Sequence, residues 1–222
     1  MSEHEVWRYL HILMFVFWLG TDMGVMISAK RAVNAQLSVE ARLTLLKSAL
    51  LIELLPRTMW VAALPLGVQL SQHLGLVNIS TPALAMVWLF AAFWWVVNFG
   101  GAYYIEQPLG ITLSRINRWV TGLLGVTLIA VAVASYMSET LFATTWLAAK
   151  VGLYGIIQLT ILGIELTFVP VGNAFGRLVT EGSTPDVEAQ VSATMKRSLV
   201  FVYVTYVLIA IVAFIGVTKP LG

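Results

Sequence analysis

Lys150 is the residue hardest to reconcile with its surroundings, because about two turns of apolar helix separate it from the nearest polar segment. A charged side chain at bilayer depth costs roughly 2.5–3.5 kcal/mol on insertion scales, so each one is a functional candidate. A buried ammonium needs an acceptor: a carboxylate, a backbone carbonyl or the carboxylate of a cofactor such as a haem propionate. Tyr154, Gln158 and Glu165 fall within about 80° of Lys150 at helical spacing, which predicts a polar stripe facing other helices. Glu53 and Arg57 stand at i and i+4 with Pro56 between them, the spacing of an ion pair on one helix face.

The first apolar run carries a second set. At about 100° per residue, His11, Phe15, Trp18, Asp22 and Ala29 lie within about 40° of one line. Gly20 to Gly24 forms a GxxxG around Asp22, which permits close helix approach. Asp22 reads as a polar link to another helix or to Arg57, or as a proton-transfer group. His11 reads as an interfacial histidine bonded to a carbonyl, or as a metal or haem ligand, since imidazole is a common axial ligand of haem iron. His73 follows the second apolar run by about one turn, on the same side as His11. Together they could hold one haem b, with Met14 and Met59 as alternative ligands. The third run is aromatic, with Trp88, Trp94 and Trp95 beside Asn98, and reads as packing or as a wall beside a porphyrin or quinone.

The elements that must position these groups follow from composition. Only 11% of residues are charged, against about 25% in a soluble domain, and mean hydropathy is +0.87. That excludes an ordinary soluble enzyme, a disordered protein and a nucleic-acid binder. There is no cysteine, so iron–sulfur clusters, thiolate metal sites, covalent haem and disulfides are excluded. The fold expected is all-α: a polytopic integral membrane helix bundle forming one domain.

Six spans are predicted, at about 6–28, 50–70, 83–105, 119–137, 142–168 and 199–217, each near the roughly 20 residues a bilayer core requires. The first is expected to stay in place rather than be cleaved as a signal peptide, since an acidic start runs straight into it. Arg8 and Lys219 fall on the side of the termini. Lys30, Arg31, Arg42, Lys47, Arg57, Arg115, Arg118, Arg177, Lys196 and Arg197 fall on the other. The positive-inside rule then places both termini away from the cytoplasm. Ser38 is an expected N-cap for a helix leading into the second span. Ser183 or Thr184, before Pro185, is expected to cap one leading into the sixth. Pro56 and Pro65 should kink the second span.

The stretch Tyr9-Leu-His-Ile-Leu-Met-Phe-Val-Phe-Trp-Leu-Gly resembles the opening helix of the CopD/HemJ-like membrane proteins, with His11 and Trp18 at the matching positions. Trp146-Leu-Ala-Ala-Lys150-Val-Gly-Leu is similar to a later helix of that group, which carries a lysine near its start. The resemblance implies a bundle binding haem b through His11. It implies protoporphyrinogen IX oxidation in the HemJ branch and copper handling in the CopD branch.

The leading expectation is a haem b-binding redox subunit of a bacterial inner membrane. His11 and His73 would be on the iron, with Lys150 and Trp18 beside the cofactor. Its partners would be the lipid bilayer and a membrane or outer-side redox protein, or a second copy in a homo-oligomer. The alternatives are a HemJ-like oxidase, a structural or anchoring subunit, and a permease for copper or a small solute. The permease would use Asp22, Glu53, Arg57 and Glu165 as its polar path.

Overall fold

The computed structural model describes residues 2–105, 107–138 and 141–220. They form α1 (Glu3–Ala32), α2 (Val39–Ile52), α3 (Leu54–His73), α4 (Thr81–Tyr103), α5 (Pro108–Ser138), α6 (Thr145–Glu181) and α7 (Pro185–Thr218), with no strand among the described residues. Six runs are long and apolar enough to cross a membrane, α2 and α3 counting as one. The chain is a multi-pass integral membrane protein built as an all-α helix bundle. Its outward faces agree: Leu89, Phe93, Val126, Leu166 and Phe214 all stand exposed. In water each would forfeit about 1.5–3 kcal/mol of burial, whereas lipid accepts them freely.

Short connections make sequence neighbours pack side by side. α1 packs on α3, α3 on α4, α4 on α5, α5 on α6 and α6 on α7, and α7 returns to α1. The six spans therefore close into a ring. α5 and α6 approach closely where Gly125 and Gly155 meet: a Cβ on Gly155 would stand 2.7 Å from the Gly125 carbonyl oxygen. α3 and α6 face each other across the ring, and only long side chains bridge them. Met14 and Trp18 of α1, Trp60 of α3, Trp94 of α4 and Ile157 of α6 fill the middle.

The helix ends follow local chemistry. Ser38 Oγ accepts from the Ala41 amide at 3.2 Å, and Thr184 Oγ1 accepts from the Val187 amide at 3.4 Å. Both caps stand where the residue types place them. The α2–α3 joint falls at Glu53. Pro56 has no N–H to give the Ile52 carbonyl, so the regular ladder cannot continue through that turn. The helix resumes with the Arg57 amide donating to the Glu53 carbonyl at 3.0 Å.

Two helices extend beyond their expected spans. α5 begins at Pro108 rather than near Trp119, and α6 runs on to Glu181 through Pro170. Hydropathy drops at Arg115, Arg118 and Arg177, but the backbone stays helical where those side chains reach the interface.

We call the end carrying the basic loops the inner end. There α1, α6 and α7 share a second core of Ala29, Ala32, Val171, Phe175, Leu178, Val187 and Val191. At the outer end, the Ala143 amide donates to the Leu76 carbonyl at 3.1 Å and ties two loops together.

Candidate functional site

The strongest concentration of polar groups lies inside the ring, toward its inner end, and Arg57 organises it. Its Nε donates to Glu53 Oε1 at 2.9 Å, and Nη2 stands 2.8 Å from the same oxygen. Nη1 donates to Asn98 Oδ1 at 2.8 Å and to Glu165 Oε1 at 3.0 Å. Asn117 Nδ2 also donates to Glu165 Oε1, at 2.7 Å, while Asn117 Oδ1 accepts from Trp94 Nε1 at 3.0 Å. One guanidinium thus joins α3, α4 and α6, and Asn117 brings in α5 through Glu165. The expected Glu53–Arg57 pair is present, and Glu165 and Asn98 join it from other helices.

Above this centre the polar stripe of α6 continues. Gln158 is fully buried and accepts from Trp60 Nε1 at 2.9 Å. Tyr154 donates its hydroxyl proton to the Trp60 carbonyl at 3.0 Å. From Glu165 to Lys150 the helix rises roughly 22 Å, most of a hydrocarbon core about 30 Å thick.

Several buried atoms have no hydrogen-bond partner among the described residues: Glu165 Oε2, Asn98 Nδ2, Gln158 Nε2, Thr121 Oγ1 and His11 Nδ1. Each unmet buried polar group costs about 1–3 kcal/mol, so native structures seldom keep such groups without a reason.

Asp22 lies within electrostatic range of both Glu53 and Arg57, and its backbone carbonyl accepts from the Tyr206 hydroxyl at 2.8 Å. Trp18 is buried in the central core. In the aromatic α4, Trp94 packs edge-on to Trp60 at 5.1 Å, and Trp95 Nε1 donates to Thr58 Oγ1 at 3.0 Å. These indoles pack the ring and tie neighbouring helices together.

The two histidines are not brought together. His11 faces α3 at Gly67, where a Cβ would stand 3.6 Å from the imidazole Cε1. His73 is six residues further along α3, a rise of roughly 9 Å. It stacks on Trp7 at 6.1 Å and shares a 3.0 Å hydrogen bond with Gln69 Nε2. Its Nδ1 stands 3.8 Å from Glu3 Oε2. A recess of about 430 Å³ opens there, lined by Glu3, Val6, Trp7, Gln69 and His73. His11 is not on its wall. This arrangement does not fit one haem held between the two imidazoles; of the two, His11 keeps a buried ring nitrogen with no partner among the described residues. Among the described residues, no three His, Asp or Glu side chains are grouped to hold a metal ion.

Sequence reasoning passed over three residues. Asn117 lies before the predicted start of its span, between Arg115 and Arg118, and so read as loop. Trp60 looked like one more apolar residue of its helix. Arg42 counted only as a loop charge, yet it is fully buried. Its Nε donates to the Ala32 carbonyl at 2.8 Å, and its Nη1 and Nη2 donate to Glu188 at 2.6 and 3.0 Å. Compared with known proteins, the chain matches no protein-family model, no curated protein and no solved structure.

Proposed function

We propose that this chain is a permease-type membrane protein that moves protons, alone or with a small solute, through the interior of its helix ring. One observation carries this reading: Glu165 and Gln158 of α6, each with a buried atom that has no hydrogen-bond partner among the described residues, and Tyr154 beyond them run from the Arg57 centre toward the outer end. Charge balance supports it. Glu53 and Glu165 share one guanidinium, and Asp22 adds a third carboxylate within electrostatic range. Ionised together, they exceed the positive charge present, which a low-dielectric interior tolerates poorly. Protons taken up by the cluster lessen that excess, and Glu165 Oε2 has no hydrogen-bond partner among the described residues. Intramembrane carboxylates of this kind mark ion and proton pathways.

The test is proton flux into liposomes holding the purified protein, with a trapped pH dye and the membrane potential clamped by potassium and valinomycin. The wild type is expected to outpace protein-free vesicles. Glu165→Gln keeps the shape but removes the carboxylate, and its flux should fall by about tenfold or more. Equal flux from the variant and the wild type, or no flux above empty vesicles, overturns the reading.

A second reading is haem b on His11, favoured by the buried, unpartnered Nδ1 and in line with the CopD/HemJ-like resemblance. Haem would supply one-electron chemistry, and His11 would hold the iron from α1. A reduced-minus-oxidised absorption spectrum of the purified protein decides it. A b-type band that disappears in His11→Ala supports this reading, and a colourless protein from haem-replete cells removes it.

A further inference from the structure

The outer end of the α6–α7 seam gathers cationic groups that have no counter-ion among the described residues. Lys150 Nζ lies against α7 at Gly216, where a Cβ would stand only 2.5 Å from it. Among the described residues, Lys150 has no hydrogen bond or ion pair. One helical turn outward on both helices, Lys219 Nζ sits over the Trp146 ring, 5.9 Å from its centroid. His11, on the neighbouring α1, lies within electrostatic range of Lys150, and its buried Nδ1 has no partner. The carboxylates described at this end are used elsewhere: Glu3 faces His73, and Glu5 accepts from the Ser2 amide at 2.8 Å.

An ammonium set into an apolar seam is stabilised by an anion, and a buried one left alone is costly. Glycine at 216 leaves room for Nζ, which would collide with any Cβ at that position. We infer that Lys150, with His11 and Lys219, forms an outer-end binding site for a small carboxylate anion. Lys150 is the charged anchor at the bottom of the site. Lys219 stands nearer the aqueous edge, where a cation draws anions in. His11 supplies a ring nitrogen that can donate to the second carboxylate oxygen. The inference names a solute for the proton-linked permease and rests on that reading for transport, while binding itself is independent of it.

The experiment is calorimetric titration of acetate and of benzoate into the purified protein, in an uncharged detergent at low ionic strength. Wild type should show saturable binding at one site, and Lys150→Gln should weaken it by about tenfold or more. Lys150→Arg should retain most of the affinity, because the charge remains. Lys219→Gln and His11→Gln give smaller losses and serve in place of Lys150→Gln should that variant elute as aggregate. No saturable binding of either carboxylate overturns the inference, as does equal binding by wild type and Lys150→Gln. Binding of inorganic phosphate alone, or of phosphatidylglycerol in nanodiscs without carboxylate binding, also overturns it. Binding retained with no proton flux discards the permease reading alone. Flux retained without binding discards this inference alone.

Discussion

Arg57→Ala is expected to destabilise the protein by about 3–5 kcal/mol, the range for removing one partner from a buried ion pair. The guanidinium is only 19% exposed and serves Glu53, Glu165 and Asn98 together. Its loss leaves two carboxylates facing each other in a low-dielectric interior, with Asp22 nearby. Arg57→Lys should recover only part of the loss, since an ammonium cannot reproduce the planar fork that reaches all three acceptors. Arg57→Met combined with Glu165→Gln should be milder than Arg57→Ala alone, because it removes one of the two stranded carboxylates. Thermal unfolding in detergent, followed by tryptophan fluorescence, reads all three. An Arg57→Ala transition within about 0.5 kcal/mol of wild type would show that the network does not hold the ring together.

The spans are legible in the sequence because lipid imposes a strong rule: every backbone group must be satisfied internally, behind roughly 20 apolar residues. Helix ends are less legible. Hydropathy reports where lipid contact stops, and α5 continues as helix through Arg115 and Arg118 into the interface. Asn117 was hidden by that difference. Which charged residues lie within the helix bundle was legible too, since Glu53, Arg57, Lys150 and Glu165 stand out against an apolar background. Their partners were not. Arg57 meets Asn98 and Glu165 from positions 41 and 108 residues away in sequence. Such meetings depend on the rotation of each helix about its axis and on its height in the ring, which a local periodicity cannot fix.

The histidines show the same limit. Counting turns from the ends of the apolar runs places His11 and His73 at one height. In the folded chain α3 ends at His73, and the level of that residue on α1 is Glu3 and Trp7. An error of about two turns, small in a span prediction, separates a shared ligand pair from two unrelated side chains.

The inner end supplies a contrast that tests how function is divided within the fold. Arg42→Ala is expected to cost about 3–5 kcal/mol, as at Arg57, for related reasons. Arg42 is fully buried and lies over the Phe175 ring at 5.9 Å. It caps the Ala32 carbonyl, one of the last four of α1 that no helical amide reaches. Its bidentate bond to Glu188, which also accepts from Ser183 Oγ at 2.6 Å, fixes the start of α7 against α1 and α2. Without Arg42, those ends lose their common tie while the Arg57 centre keeps every partner. Limited proteolysis should therefore quicken in the loops around residues 33–38 and 182–184, and the unfolding temperature should fall. The protein that remains folded should still pass protons at the wild-type rate. Arg57→Ala should lose both stability and flux. Loss of flux in Arg42→Ala under conditions where it is still folded would mean that the inner clamp belongs to the conducting machinery. The division between a structural arginine and a working one would then be wrong.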